Sequence, residues 1–136
     1  MVELRELMTR DVLTVAPEDT LGEAAQRMAD SNVGSAVVVD YRRLVGILTE
    51  RDLLRAVAGR VHSSEARVRD WMTGNPLTAS ESTPAEEAAR IMLEHGFRHL
   101  PVVDAEQTLG IVSLRDVMRW SVHVTPGTEH IGSDFP

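Results

Sequence analysis

Gly46-Ile47-Leu48-Thr49-Glu50-Arg51-Asp52 returns 64 residues later as Gly110-Ile111-Val112-Ser113-Leu114-Arg115-Asp116. Each stretch carries an apolar run into a hydroxyl residue, with an acid three positions on. That pattern predicts a strand turning directly into a capped helix. Outward from this pair, the same offset aligns Leu4–Leu54 with Val68–Met118 without a gap, and 16 of the 51 pairs are identical. Met8-Thr9 matches Met72-Thr73, Leu13-Thr14 matches Leu77-Thr78, Ala24-Ala25 and Met28 match Ala88-Ala89 and Met92, and Val38-Val39-Asp40 matches Val102-Val103-Asp104. The chain is a tandem duplication.

One copy read by period gives β-α-β-β-α. Leu13–Val15 is a short strand, and Thr20-Leu21-Gly22-Glu23 is a capping box opening a helix that buries Leu21, Ala24, Ala25 and Met28. The second copy repeats the device as Thr83-Pro84-Ala85-Glu86, with proline at the first helical position and Gly96 as a left-handed cap at the end. Ala36–Asp40 and Leu44–Thr49, like Leu100–Asp104 and Leu109–Ser113, are close enough to form hairpins. The closing helices start at Glu50 and Leu114, and short helical lead-ins are expected at Glu3–Met8 and Arg67–Met72. The expected boundaries are a first repeat at 1–60 with its lead-in, a linker at 61–66, a second repeat at 67–121 and an irregular tail at 122–136. The fold class is α/β of the α+β type. A unit of roughly 60 residues buries too little surface to stand comfortably alone, so the halves are expected to pack together.

Composition narrows the chemistry. Hydrophobic residues make up 43% and charged residues 26%, as in ordinary globular proteins. The net charge is −7, with 8 basic and 10 acidic residues in 1–64 and 6 against 11 in 65–136, so neither half offers a basic face to duplex nucleic acid. There is no cysteine and no lysine, which removes disulfides, thiolate nucleophiles, Schiff bases and a phosphate-loop lysine. No apolar run reaches the roughly 20 residues that span a bilayer, and the acidic start is unlike a signal peptide, so a cytoplasmic location without membrane attachment is expected. His62, His95, His123 and His130 show no metal-ligand spacing, and no pairing resembles a nucleophile with its base. Catalysis is not expected.

At the head of each closing helix, unpaired backbone N–H groups attract anions, Thr49 or Ser113 adds a hydroxyl, and Asp52 or Asp116 could accept two hydrogen bonds from a ribose diol. The same residues could equally be plain helix caps. Both readings stand at this level.

The segments Asn32–Asp40, Gly46–Asp52, Gly96–Asp104 and Gly110–Asp116, in this order and twice over, resemble the signature stretches of the CBS-domain family, whose repeats pair as a Bateman module. The resemblance covers about residues 4–120. It implies two repeats packed about a pseudo-two-fold axis, with two clefts that bind adenosine-containing ligands such as AMP, ADP, ATP, NAD or S-adenosylmethionine. It places Asp52 and Asp116 on riboses, and Thr49 and Ser113 along the sugar and phosphate. Thr14, Thr78, Ile47 and Ile111 would flank the base, and Ser35, Ala36, Leu100 and Arg115 would complete the lining. Arg98 and His99 stand where the family often sets basic side chains against phosphates. The bland alternatives are a solvated charge for Arg98 and a hydrogen-bonded structural residue for His99. Copy one has Gly34-Ser35 there, so the two clefts are expected to be unequal, one preferring a phosphorylated ligand.

The function implied is a regulatory adenine-nucleotide sensor of the energy-sensing kind. It needs no cofactor, self-associates as a homodimer and signals to an unidentified effector protein. A scaffold with vacant clefts is the alternative.

Overall fold

The computed structural model describes residues 1–124. The elements are a 3-10 turn at Leu4–Glu6, β1 (Thr14–Val15), α1 (Leu21–Ser31), β2 (Ser35–Asp40), β3 (Arg43–Thr49), α2 (Glu50–Ala58), α3 (Val68–Trp71), β4 (Thr73–Gly74), α4 (Ala85–His95), β5 (His99–Asp104), β6 (Gln107–Ser113) and α5 (Leu114–Val124). The mixed architecture and the two repeats are those read from the sequence, with the opening strand of the second reduced to a single bridge at Ala79. α5 runs to Val124, past the expected start of an irregular tail, whose remainder lies outside the described residues.

The helices start and stop for the reasons their sequences supply. Thr20 accepts a hydrogen bond from the Glu23 N–H at 3.1 Å and donates its own N–H to the Glu23 carboxylate at 3.2 Å, a complete capping box. α1 and α4 end in left-handed residues, Asn32 at φ 55° and Gly96 at φ 75°. The expected capping box at Thr83 does not form. The repeat offset aligns Thr20 with Pro84, which is the residue capping α4 and carries no hydroxyl, while Thr83 Oγ1 accepts from the Ser80 N–H instead. Both hairpins turn on two residues of positive φ, Tyr41-Arg42 and Ala105-Glu106. These are primed turns, which match the strand twist, built without the glycine or asparagine that eases them.

Packing does not follow the sequence boundaries of the repeats. One unit comprises Met1–Arg10, Thr78–Val103 and Leu109 onward; the other comprises Asp11–Leu77 with Asp104–Thr108. The lead-in of the first repeat therefore belongs to the unit built from the second, and the second lead-in to the unit built from the first. In the unit of Asp11–Leu77 the sheet order is β1-β2-β3-β4, with β1 parallel to β2 and β4 antiparallel to β3 through Ile47↔Thr73. In the other unit β5 and β6 form the hairpin, and single bridges join Ala79 to Val102 and Thr9 to Ile111. Those bridges sit at the positions equivalent to β1 and β4. The parallel pairing shrinks to one bridge because Pro101 replaces Val37, whose N–H donates to the Leu13 carbonyl at 2.9 Å; proline has no such donor.

Each unit has its own core. Leu4 and Met8 pack with Ala88, Met92, Leu100, Val102 and Val112, and Trp120 lies against them. Val68 packs with Leu21, Ala24, Met28, Ala36, Val38 and Leu48, with Trp71 alongside. Both indoles thus serve the cores.

Candidate ligand-binding site

The sheet register decides which predicted residues share a face. β1 pairs Thr14 with Val37, and β2 pairs Val37 with Ile47 and Ser35 with Thr49. Directly paired residues point the same way and neighbours alternate, so Thr14, Ser35, Ile47 and Thr49 lie on one face of the sheet. Ala36, Val38 and Leu48 lie on the other, in the hydrophobic core. Ala36 is therefore set apart from the remaining candidates, and so is Leu100, fully buried in the second core. Either could meet a ligand only through its main chain.

At the head of α2, Asp52 is 3% exposed. Its Oδ2 accepts from the Thr49 N–H at 2.9 Å and from the Thr49 hydroxyl at 3.1 Å, and its Oδ1 accepts from Arg55 Nη1 at 3.3 Å. The capping reading is realised in full here. At the head of α5, Asp116 Oδ2 accepts from the Ser113 N–H at 3.1 Å, and Ser113 Oγ accepts from the Asp116 N–H at 3.1 Å. Asp116 is only half-buried, and Arg119, the counterpart of Arg55, makes no ion pair with it among the described residues. One copy of the motif is closed by an arginine and the other leaves a carboxylate oxygen for something else.

The other candidates divide by unit. Thr14, Ser35, Ile47, Thr49 and Asp52 gather in the first sheet and its closing helix. Thr78, Arg98, His99, Ile111, Ser113, Arg115 and Asp116 belong to the other unit. Thr78 is exposed beside the bridge residue Ala79, Arg98 and Arg115 are exposed, and His99 is half-buried at the start of β5. Two side chains went unread in the sequence. Arg55 follows Asp52 by one turn, a spacing that could have revealed the pair. Glu50 lies against Gly34, as the Ser35↔Thr49 pairing requires of the residues just beyond it. Among the described residues no group of three or more His, Cys, Asp or Glu is placed to hold a metal ion, and no helix is long and apolar enough to cross a membrane.

Two sheet-and-helix units, each closed by a hydroxyl–carboxylate helix head, define a tandem-repeat type of architecture. The CBS domain model matches residues 4–59 and 68–123, and the chain belongs to the CBS-domain family. It is 38% identical over 117 residues to the CBS domain-containing protein YhcV of Bacillus subtilis, covering 86% of this chain and 84% of that one. Among solved structures, it is similar to the CBS domain pair of protein MJ0100 in complex with 5-methylthioadenosine and S-adenosyl-L-methionine. That likeness has a TM-score of 0.81 and 28% identity, covering 88% of this chain and 95% of that one. It is also similar to CBSX2 in complex with AMP, with a TM-score of 0.77 and 30% identity, covering 91% and 98%.

Proposed function

We propose that this protein is a regulatory module that binds adenosine-containing nucleotides and reports their level to a partner protein. The carrying observation is the half-buried Asp116, held by Ser113 at the head of α5 with one carboxylate oxygen uncommitted and the cation Arg98 on the same unit. The complexes of the two solved relatives, one with AMP and the other with 5-methylthioadenosine and S-adenosyl-L-methionine, support this choice of ligand class. Asp116 would take the ribose, Ser113 the sugar and phosphate edge, and Arg98 and His99 the phosphate. Thr78 and Ile111 would flank the base. Thr14, Ser35, Ile47, Thr49 and Asp52 would supply the second site. The ligand would act by binding one conformation more tightly than another, and the catalytic or transport output would reside in the effector.

Homodimerisation is part of the same reading. Leu54 on α2 and Met118 on α5 occupy equivalent positions in the repeats and are 69% and 56% exposed, and Val57 adds a third apolar side chain. A second copy covering these helices would remove that surface from water. A monomeric mass by light scattering would contradict the dimer.

Thermal unfolding with AMP, ADP, ATP, NAD and S-adenosylmethionine tests the ligand. At about 100 times the dissociation constant, stabilisation of roughly 2.7 kcal/mol should raise Tm by a few degrees. No shift with any of them would favour the scaffold reading, for which the fully committed Asp52 carboxylate is the supporting observation.

A further inference from the structure

The two helix heads share one backbone link but not its side chains. The Gly34 carbonyl accepts from the Glu50 N–H at 3.0 Å, and the Arg98 carbonyl accepts from the Leu114 N–H at 2.9 Å. The link fixes which residues adjoin at the turn from strand to helix. In the first repeat these are Gly34 and Glu50, and a Cβ on Gly34 would lie 3.0 Å from Glu50 Oε1, so the carboxylate stands over the glycine. In the second they are Arg98, exposed and without an ion pair among the described residues, and the neutral Leu114. The formal charge beside the hydroxyl–carboxylate motif reverses sign between the repeats.

A second observation lies in the first repeat. Ser35 is 8% exposed, cross-strand from Thr49, and its hydroxyl makes no hydrogen bond among the described residues. The hydroxyl is not sealed from solvent, so a bound polar group can take the place of water there. With Glu50 nearby, that group is a neutral donor or acceptor, because a phosphate would meet a like charge at short range.

Building on the adenosine reading above, we propose that Glu50 and Ser35 make the first repeat's site selective for an unphosphorylated adenosine compound, while the second repeat's site takes the phosphorylated form. The protein would then compare a nucleotide with its dephosphorylated relative rather than sense one compound twice.

Isothermal titration calorimetry of the full chain with AMP and with adenosine, on wild type, Glu50→Gln and Ser35→Ala, tests this. Wild type should bind one equivalent of AMP and, once saturated with AMP, one further equivalent of adenosine. Glu50→Gln should bind a second AMP about tenfold more tightly than wild type does at that site, with adenosine affinity changed less than about threefold. Ser35→Ala should weaken adenosine about tenfold at the first repeat's site and leave the tight AMP equivalent alone. Two equal AMP equivalents in wild type, or an unchanged AMP isotherm in Glu50→Gln, would overturn the selectivity while leaving adenosine binding intact. Absence of heat with both probes would instead remove the adenosine reading itself, and this proposal with it. Glu50 is exposed, so the glutamine variant should fold, which far-UV circular dichroism verifies.

Discussion

The carbonyl oxygen of Thr9 lies so close over Gly110 that a Cβ there would stand 2.7 Å from it. The contact is part of a bridge in which the Thr9 N–H donates to the Ile111 carbonyl at 2.8 Å and the Ile111 N–H donates back at 3.0 Å. The same arrangement recurs at Gly46, where a Cβ would stand 2.9 Å from the Thr73 carbonyl and 2.5 Å from Met72 Sδ. Four of the identities between the repeats, Met-Thr in each lead-in and Gly-Ile in each third strand, therefore have a single cause: one strand edge passes tightly over another. Gly110→Ala and Gly46→Ala should each destabilise by about 1–3 kcal/mol, because the obstructing carbonyls belong to paired backbone that cannot swing aside. Urea unfolding measures this, and a neutral or stabilising alanine at Gly110 would show that the lead-in does not hold its place there.

The exchanged lead-ins also predict which sheet feels a core mutation. Leu4 is fully buried among Leu100, Val102 and Val112, not among the strands of its own repeat. Leu4→Ala should cost about 2–5 kcal/mol and speed amide hydrogen exchange at Val102 and Val112 more than at Val38 and Leu48. Val68→Ala should show the reverse order, since Val68 packs with Val38 and Leu48. Equal acceleration in both sheets would count against the exchange.

Local patterning made most of the elements legible in the sequence, whereas their partners depended on long-range geometry. The capping box at Thr20 and the left-handed end at Gly96 are decided within four residues, and both form as read. The cap at Thr83 failed because two registers competed: the short motif favoured threonine, but the duplication put Pro84 in the capping place. That a lead-in would serve the opposite sheet is invisible to periodicity, which identifies an apolar segment without saying what covers it. In the site, the hydroxyl–carboxylate pairs were legible as motifs. The core-facing side chains of Ala36 and Leu100 follow from strand alternation, and the Glu50–Gly34 contact emerged only from the hairpin register.

The start of α1 supplies a pH test. Glu23 has its pKa lowered by the hydrogen bond from the Thr20 backbone N–H, then by the Thr20 hydroxyl, with the charge of Arg67 adding to both. A carboxyl group whose pKa is lower folded than unfolded contributes stability above its ordinary range and loses it as pH falls through the folded-state value. Glu23→Gln should therefore lower Tm at neutral pH, and the gap from wild type should narrow as pH falls below the usual glutamate pKa of about 4.3. A gap that stays constant down to pH 3 would mean that the charge of Glu23 contributes nothing.

The two motif acids should part company when each is replaced. Asp52 is buried and accepts from the Thr49 N–H, the Thr49 hydroxyl and Arg55, so Asp52→Ala strands donors at the head of α2 and should cost about 1–2 kcal/mol without any ligand. Asp116 caps Ser113 through one oxygen in a half-buried setting, so Asp116→Ala should cost less, about 0.5–1 kcal/mol. That stability loss confuses a test of binding, and asparagine removes the confusion by keeping an acceptor for the Ser113 N–H while discarding the charge. If the Asp116 carboxylate holds a ribose, Asp116→Asn should unfold nearly as wild type does yet bind AMP at least tenfold more weakly, the loss expected when charge-assisted hydrogen bonds become neutral ones. Wild-type affinity in Asp116→Asn would reduce the residue to a cap, and the adenosine site would then need another anchor.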